Sequence, residues 1–194
     1  MPLRILLASS SRYRRELLGR LLLRFDFVSP DVDEAAFHHL ETTPDSLAER
    51  LAMEKTLAVF RRSPEAIVIG SDQLVDLNGA VLGKPGTVAA AVDQLLSMSG
   101  KTHRLLTAVC IAAPGKPVTS IMNETRLTMR HLTPDEALRY VERDQPLDCA
   151  GSYKIESLGT SLFESIETED FTAIMGLPLI RVSQTLRELG VAIP

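Results

Sequence analysis

Three arginines fall within four positions, Arg12-Tyr13-Arg14-Arg15, directly after the hydroxyl run Ser9-Ser10-Ser11. The short apolar segment Leu3-Arg4-Ile5-Leu6-Leu7-Ala8 precedes them, and a helical pattern (Leu17, Leu18, Leu21, Leu22) follows. The arginines therefore occupy the first turn of a helix. A helix N-terminus carries about half a positive charge, and a cation placed there costs roughly 0.3–1 kcal/mol. Two readings are open. One is an anion seat, in which a strand, a hydroxyl-rich turn and a helix start aim free backbone N–H groups at a phosphate. The other is a solvated arginine cluster whose serines act only as the helix cap.

Four more charged residues stand in unusual places. Asp72 follows the apolar run 66–69 and Gly70, so it is expected where the carboxyl end of a strand meets a cleft, the usual ligand position in open α/β sheets. Lys84 lies between Gly83 and Pro85, which fix its backbone on both sides. Lys55 falls on the same helical stripe as Leu47, Ala48, Leu51, Ala52, Ala58 and Val59, at i+4 from Leu51. A lysine on a core face must either snorkel to water or meet an anion. Glu34 ends the acidic run Asp31-Val32-Asp33-Glu34, which reads equally as a solvated loop. Taken together, Arg14, Lys55 and Lys84 with Asp72 and Glu34 make a set of cations and carboxylates. That is what a polyphosphate with a divalent metal requires: cations for the phosphate oxygens, carboxylates for the ion.

The elements that position these residues alternate between strand and helix. Strand 3–8 leads to helix 12–23, strand 25–29 and the acidic loop. Thr43-Pro44 opens a helix to about Arg62, with Thr43 as N-cap and Pro44 at the first helical position. A buried strand over 66–69 ends in Gly70-Ser71-Asp72-Gln73, and Asn78-Gly79 between apolar runs signals a hairpin. A helix over 88–98, long strands over 102–112 and 118–130, a capping box at Thr133-Pro134-Asp135-Glu136, a polar loop over 149–159, a strand over 161–166 and a helix from Pro178 to Gly190 complete the chain. Alternation with antiparallel hairpins indicates an α/β fold with a mixed sheet.

The chain has 194 residues, of which 45% are hydrophobic and 24% charged, an ordinary composition for one soluble globular domain spanning 1–194. A formal charge of −4 argues against a nucleic-acid partner, so the local basic residues serve a small anion or nothing. Cys110 and Cys149 have no metal or redox spacing, which points to a reducing, cytoplasmic setting. The first apolar run is too short for a signal-peptide core, and no stretch approaches a membrane span. His38, His39, His103 and His131 lack ligand spacing and read as ordinary surface or core residues.

The segment Leu7-Ala8-Ser9-Ser10-Ser11-Arg12-Tyr13-Arg14-Arg15 resembles the LAS-x-S-x-x-RR signature of the Maf-type nucleoside triphosphate pyrophosphatases. Asp31-Val32-Asp33-Glu34, Glu54-Lys55, Gly70-Ser71-Asp72-Gln73 and Gly83-Lys84-Pro85 match that family in the same order, over nearly the whole chain. The segment Cys149-Ala150-Gly151-Ser152-Tyr153-Lys154-x-Glu156, with Tyr13 and Gln73, resembles the subgroup acting on 7-methyl-GTP. Arg12 stands where the family commonly has proline, and Tyr13 where tryptophan is familiar.

The resemblance implies an elongated, twisted mixed sheet flanked by helices, in two lobes about a central cleft, of the Maf/ITPase-like kind. It implies hydrolysis of the α–β phosphoanhydride, with Asp72 taking a proton from the attacking water. Ser9, Arg14, Lys55 and Lys84 would bind phosphate oxygens. Glu34, with Asp72 in its shell, would hold Mg²⁺ or Mn²⁺. Tyr13, Gln73 and Glu156 would read the base, since N7-methylation makes guanine cationic and suits an aromatic face beside a carboxylate. A homodimer is the family's familiar state. The competing readings are a dTTP/UTP pyrophosphatase of the same family and a nucleotide-binding division regulator without significant turnover. A phosphate-donor transferase lacks any GxxxxGK[ST] loop.

Overall fold

A computed structural model describes residues 4–37 and 41–194, so His38 and His39 lie outside the described residues. The principal elements are β1 (Ile5–Ala8), α1 (Arg12–Gly19), β2 (Asp26–Phe27), α2 (Pro44–Phe60), β3 (Ile67–Leu77) and β4 (Ala80–Leu82), followed by α3 (Val88–Met98), β5 (Thr102–Ala112), β6 (Thr119–Met129), α4 (Pro134–Asp144), β7 (Phe163–Glu167) and α5 (Leu179–Glu188). The strand order is β2-β1-β3-β5-β6-β7, with β4 paired to β3. β1 runs parallel to β2 and β3, whereas β3–β4 and β6–β7 are antiparallel, so the sheet is mixed as the alternation indicates. The chain divides into two compact units. The first holds the residues up to Asp72, Thr107–Asn123 and Asp170–Pro194, and the second holds Gln73–Leu106 and Glu124–Glu169.

In the first unit, side chains alternate across β1 and β3 with the two-residue period of a strand. Ile5, Leu7, Ile67 and Ile69 pack with Leu17 and Leu18 of α1 and Val182 and Leu186 of α5. Leu6, Ala8 and Val68 pack with Val59 of α2. Both faces are therefore covered, which is why these strands read as continuous apolar runs. Thr43 caps α2 through the Ser46 backbone, with Pro44 at the start, as expected. Helix α1 is shorter than the apolar spacing over 12–23 predicts. It ends at Gly19 and passes through i→i+3 bonds at Arg20, Leu21 and Leu22, with Leu22 at φ 55°. Leu21 and Leu23 still reach the core, but from a turn, so their periodicity imitates a helix.

A second departure concerns β3. It does not stop before Gly70 but runs unbroken to Leu77, so Asp72 sits within a long strand and not at its carboxyl end. The register pairs Ala8 with Gly70, so Ser9 and Ser71 both follow directly on paired positions.

In the second unit, the Thr133–Glu136 capping box opens α4 with both reciprocal bonds formed. Buried Asp76 accepts from the Gly79 backbone (2.6 Å) and from Arg104, whose guanidinium also reaches Glu124. This ion network, unforeseen from the sequence, anchors the β3–β4 hairpin. His103, 1% exposed, packs against the rings of Tyr153 and Phe163, and its Nε2 lies 3.1 Å from the Tyr153 hydroxyl.

Burial lowers the His103 pKa from 6.5 to about 4. The folded chain therefore keeps this ring neutral where the unfolded chain protonates it. Its contribution to stability is complete above pH 6.5 and is lost as pH falls toward 4. That window amounts to about 3 kcal/mol at 1.36 kcal/mol per pH unit. Urea unfolding at pH 7.5 and pH 4.5 is expected to show a smaller pH-dependent loss for His103→Gln than for the wild type. Identical losses would remove His103 as the cause.

Candidate functional site

The centre of the site is an ammonium held between two carboxylates. Lys55 Nζ lies 2.6 Å from Asp72 Oδ1 and 2.7 Å from Glu34 Oε1. Lys55 is 6% exposed and Asp72 5%, while Glu34 opens a 3-10 turn (Glu34–Phe37) and leaves about half its side chain in water. Lys55 thus takes the second course open to a lysine on a core face: it meets anions. Local packing enforces this. A Cβ on Gly70 would collide with Thr56, so only glycine lets β3 lie this close to α2. Thr56 Oγ1 also sits 2.8 Å from Ala52 O and 3.1 Å from Cys110 O, tying α2 to β5. The residue before Thr56 is consequently held over the residue two beyond Gly70.

The second oxygen of this aspartate, Asp72 Oδ2, is buried and has no hydrogen-bond partner among the described residues. A buried, unmet acceptor costs about 1–3 kcal/mol and calls for a ligand. Carboxylate oxygen is a donor that hard divalent cations accept, and Mg²⁺ is commonly held by one or two carboxylates plus substrate phosphates and water. Asp72 and Glu34 fit that role. Among the described residues no cluster of three or more His, Cys, Asp or Glu is gathered that could hold a metal by itself.

The three arginines of α1 separate sharply. Arg12 pairs with Glu16 one turn on and is exposed, and Arg15 stacks its guanidinium over Phe27 at 4.3 Å. Arg14 is the one drawn to Gly176 and to the two carboxylates. Its Nε donates to Gly176 O (3.3 Å), and the charges of Asp72 and Glu34 act on it. Burial pulls its pKa below the ordinary arginine value while those two carboxylates pull it back up, and the guanidinium stays cationic throughout. Of the serines, Ser11 caps α1 by accepting from Arg14 N (3.4 Å), and buried Ser9 accepts from Ser11 N (3.1 Å). Tyr13 is half-buried in the same helix turn. The first unit thus brings Arg14, Glu34, Lys55 and Asp72 into mutual electrostatic reach.

Gln73, Lys84 and Glu156 belong to the second unit. Gln73 is half-buried on β3. Lys84 is exposed on a pinned loop: Gly83 O accepts from Gln94 Nε2 (3.0 Å) and Gly86 N donates to Leu147 O (3.0 Å). Gln94 also binds Ser152 (2.6 Å), so one side chain ties the Lys84 loop to the segment before Tyr153. Glu156 is exposed in the turn closed by Gly159 N and Lys154 O. Lys154, in the same motif, is structural, donating to Asp144 O and Gln145 O at the end of α4. Sequence reasoning missed Ser71, Gly176 and Gln94, whose contacts are made through long-range pairings with no local signature.

Fold and side chains define an α/β protein whose first unit concentrates two cations and two carboxylates around an unmet buried oxygen. The chain belongs to the Maf family: the model described as "Maf-like protein" matches residues 4–189. It is 50% identical over 194 residues, covering all of both chains, to the protein named 7-methyl-GTP pyrophosphatase from Xanthomonas campestris. Proteins of the same name from Aromatoleum aromaticum and Bdellovibrio bacteriovorus are 48% and 44% identical, over 98% and 94% of this chain and 98% and 95% of theirs. The fold also matches the Staphylococcus aureus Ham1 protein (TM-score 0.55, 15% identity, 97% of this chain and 100% of that one). The HAM1 protein from Coxiella burnetii gives 0.54 at 15% identity over 96% and 100%. Among the described residues no helix is long and apolar enough to cross a membrane.

Proposed function

We propose that this chain is a nucleoside triphosphate pyrophosphatase that hydrolyses the α–β anhydride of 7-methyl-GTP, giving 7-methyl-GMP and pyrophosphate. The observation that carries it is the Glu34–Lys55–Asp72 bridge with Asp72 Oδ2 left unmet. The names of the full-length relatives support the substrate.

With Oδ1 engaged by Lys55, Oδ2 carries the free lone pairs that accept a proton from the attacking water. Arg14 and Lys55 hold phosphate oxygens, most usefully where charge builds as the anhydride breaks. Ser9 and the exposed N-terminus of α1 add hydroxyl and backbone donors. The family resemblance assigns Lys84, on its pinned loop in the second unit, to the phosphates as well. A bound Mg²⁺ or Mn²⁺, held by Glu34 and Asp72, would neutralise phosphate charge and stabilise the leaving pyrophosphate. A carboxylate bound directly to a metal is a weak base, so the proton-accepting role of Asp72 would require that it not ligate the ion directly. The family resemblance assigns Tyr13, Gln73 and Glu156 to the base, and an aromatic ring, an amide and a carboxylate suit a cationic 7-methylguanine.

Pyrophosphate release should be measured for 7-methyl-GTP, GTP, dTTP and UTP, with and without divalent ion. Ion-dependent turnover fastest on 7-methyl-GTP is expected. Preference for dTTP or UTP would move the chain to the pyrimidine reading, and no release from any nucleotide would make it a binder. The same assay on Glu156→Gln is expected to show a larger loss on 7-methyl-GTP than on GTP, and equal losses would remove Glu156 as the reader of base charge. The free thiols Cys110 and Cys149 support a cytoplasmic setting. The homodimer that the family implies is tested by sedimentation equilibrium.

A further inference from the structure

Among the described residues no carboxylate holds Arg14 at bonding distance; a backbone carbonyl from the far end of the sequence does. Gly176 O accepts from Arg14 Nε (3.3 Å) and from the buried Ser71 hydroxyl (2.9 Å), and Ser71 is the residue beside Asp72. One carbonyl therefore joins the helix that carries the phosphate-binding arginine to the strand that carries the base. We infer that Gly176 and Ser71 form a positioning device that sets Arg14 relative to Asp72 for catalysis. This inference rests on the pyrophosphatase reading above.

Two features of the 170–180 segment make the carbonyl a fixed point. Gly176 has φ +110°, a conformation that L side chains rarely adopt, and a Cβ there would meet Arg14 Nε at 3.1 Å and Cγ at 3.2 Å. The segment around it is knitted by buried polar groups. Asp170 accepts from Thr172 N (3.0 Å) and Ile180 N (2.7 Å), Leu179 N donates to Thr172 Oγ1 (2.8 Å), and Thr107 Oγ1 donates to Ala173 O (3.0 Å). A side chain at 176 would strain the backbone and press on the arginine stem. A guanidinium aimed by a rigid acceptor keeps its remaining N–H groups free for phosphate, whereas a carboxylate partner would compete for them. Displacing a positioning group by about 1 Å can cost on the order of 100-fold in rate.

The test is a double-mutant cycle on pyrophosphate release from 7-methyl-GTP with Mg²⁺, reading kcat and KM separately. Arg14→Ala alone should lose activity; a wild-type rate there would overturn the role of Arg14 and this inference with it. Ser71→Ala and Gly176→Ala are each expected to lower kcat/KM by roughly 10- to 100-fold in the chain that keeps Arg14. In the Arg14→Ala background each should change it by less than about 2-fold, because the side chain they position is gone. Equal losses in both backgrounds, or no loss where Arg14 is present, would overturn the inference while leaving the pyrophosphatase reading intact. If circular dichroism shows Ser71→Ala unfolded, Ser71→Cys, with a weaker donor of similar size, takes its place in the cycle.

Discussion

Asp72→Asn is expected to lower kcat for pyrophosphate release by about 10²–10⁴-fold, the range a positioned general base supplies, while nucleotide binding persists. Asparagine is nearly isosteric with aspartate. Its amide oxygen can still accept from Lys55 as Oδ1 does, and β3 keeps its place between β1 and β5. What disappears is the buried carboxylate oxygen that is left unmet among the described residues, the one assigned to take the proton. Rapid-quench turnover together with equilibrium binding of 7-methyl-GTP separates the two effects. Turnover within a few-fold of wild type would remove Asp72 from proton transfer, and loss of binding would make it a ligand for the ion or nucleotide first.

Lys55→Met carries the largest expected effect on stability. Removing one member of a buried ion pair leaves the other charged and unsolvated, at a cost of about 3–5 kcal/mol. Here that member is Asp72, whereas Glu34 has about half its side chain in water and contributes little. Activity falls as well, since the same ammonium is assigned to phosphate. The double variant Lys55→Met with Asp72→Asn separates the causes: neutralising the orphaned acid should recover much of the lost stability and none of the activity. Urea unfolding of the three variants measures this. A double variant as unstable as Lys55→Met alone would show that the lysine stem, not its charge, holds the site together.

Much of this site was legible because physical misfits are local. A lysine at i+4 from a leucine on an apolar stripe marks its own anomaly; of the two courses that left open, water or an anion, the fold takes the second. Caps at Thr43 and Thr133 were equally plain, since side-chain hydroxyls at those offsets satisfy helix N–H groups. What escaped depends on distant residues. The sequence puts Arg12, Arg14 and Arg15 in one helix turn and Arg14 in the charged set, but it gives no sign that Arg14 donates to a carbonyl 162 positions away. Gly70 reads as a strand terminator, but its function is to let α2 approach, so β3 continues through Asp72 to Leu77. His103 gave no signal, because its environment is made by Tyr153 and Phe163, which β5 meets only in the folded chain.

The bond expected to break is the α–β anhydride and not the β–γ one. Chromatography of a complete 7-methyl-GTP digest, run with Mg²⁺ and without any added pyrophosphatase, tests it directly. Equimolar 7-methyl-GMP and pyrophosphate, with no orthophosphate and no 7-methyl-GDP at any time point, is the predicted result. Orthophosphate appearing together with 7-methyl-GDP would place cleavage at the outer anhydride and contradict it.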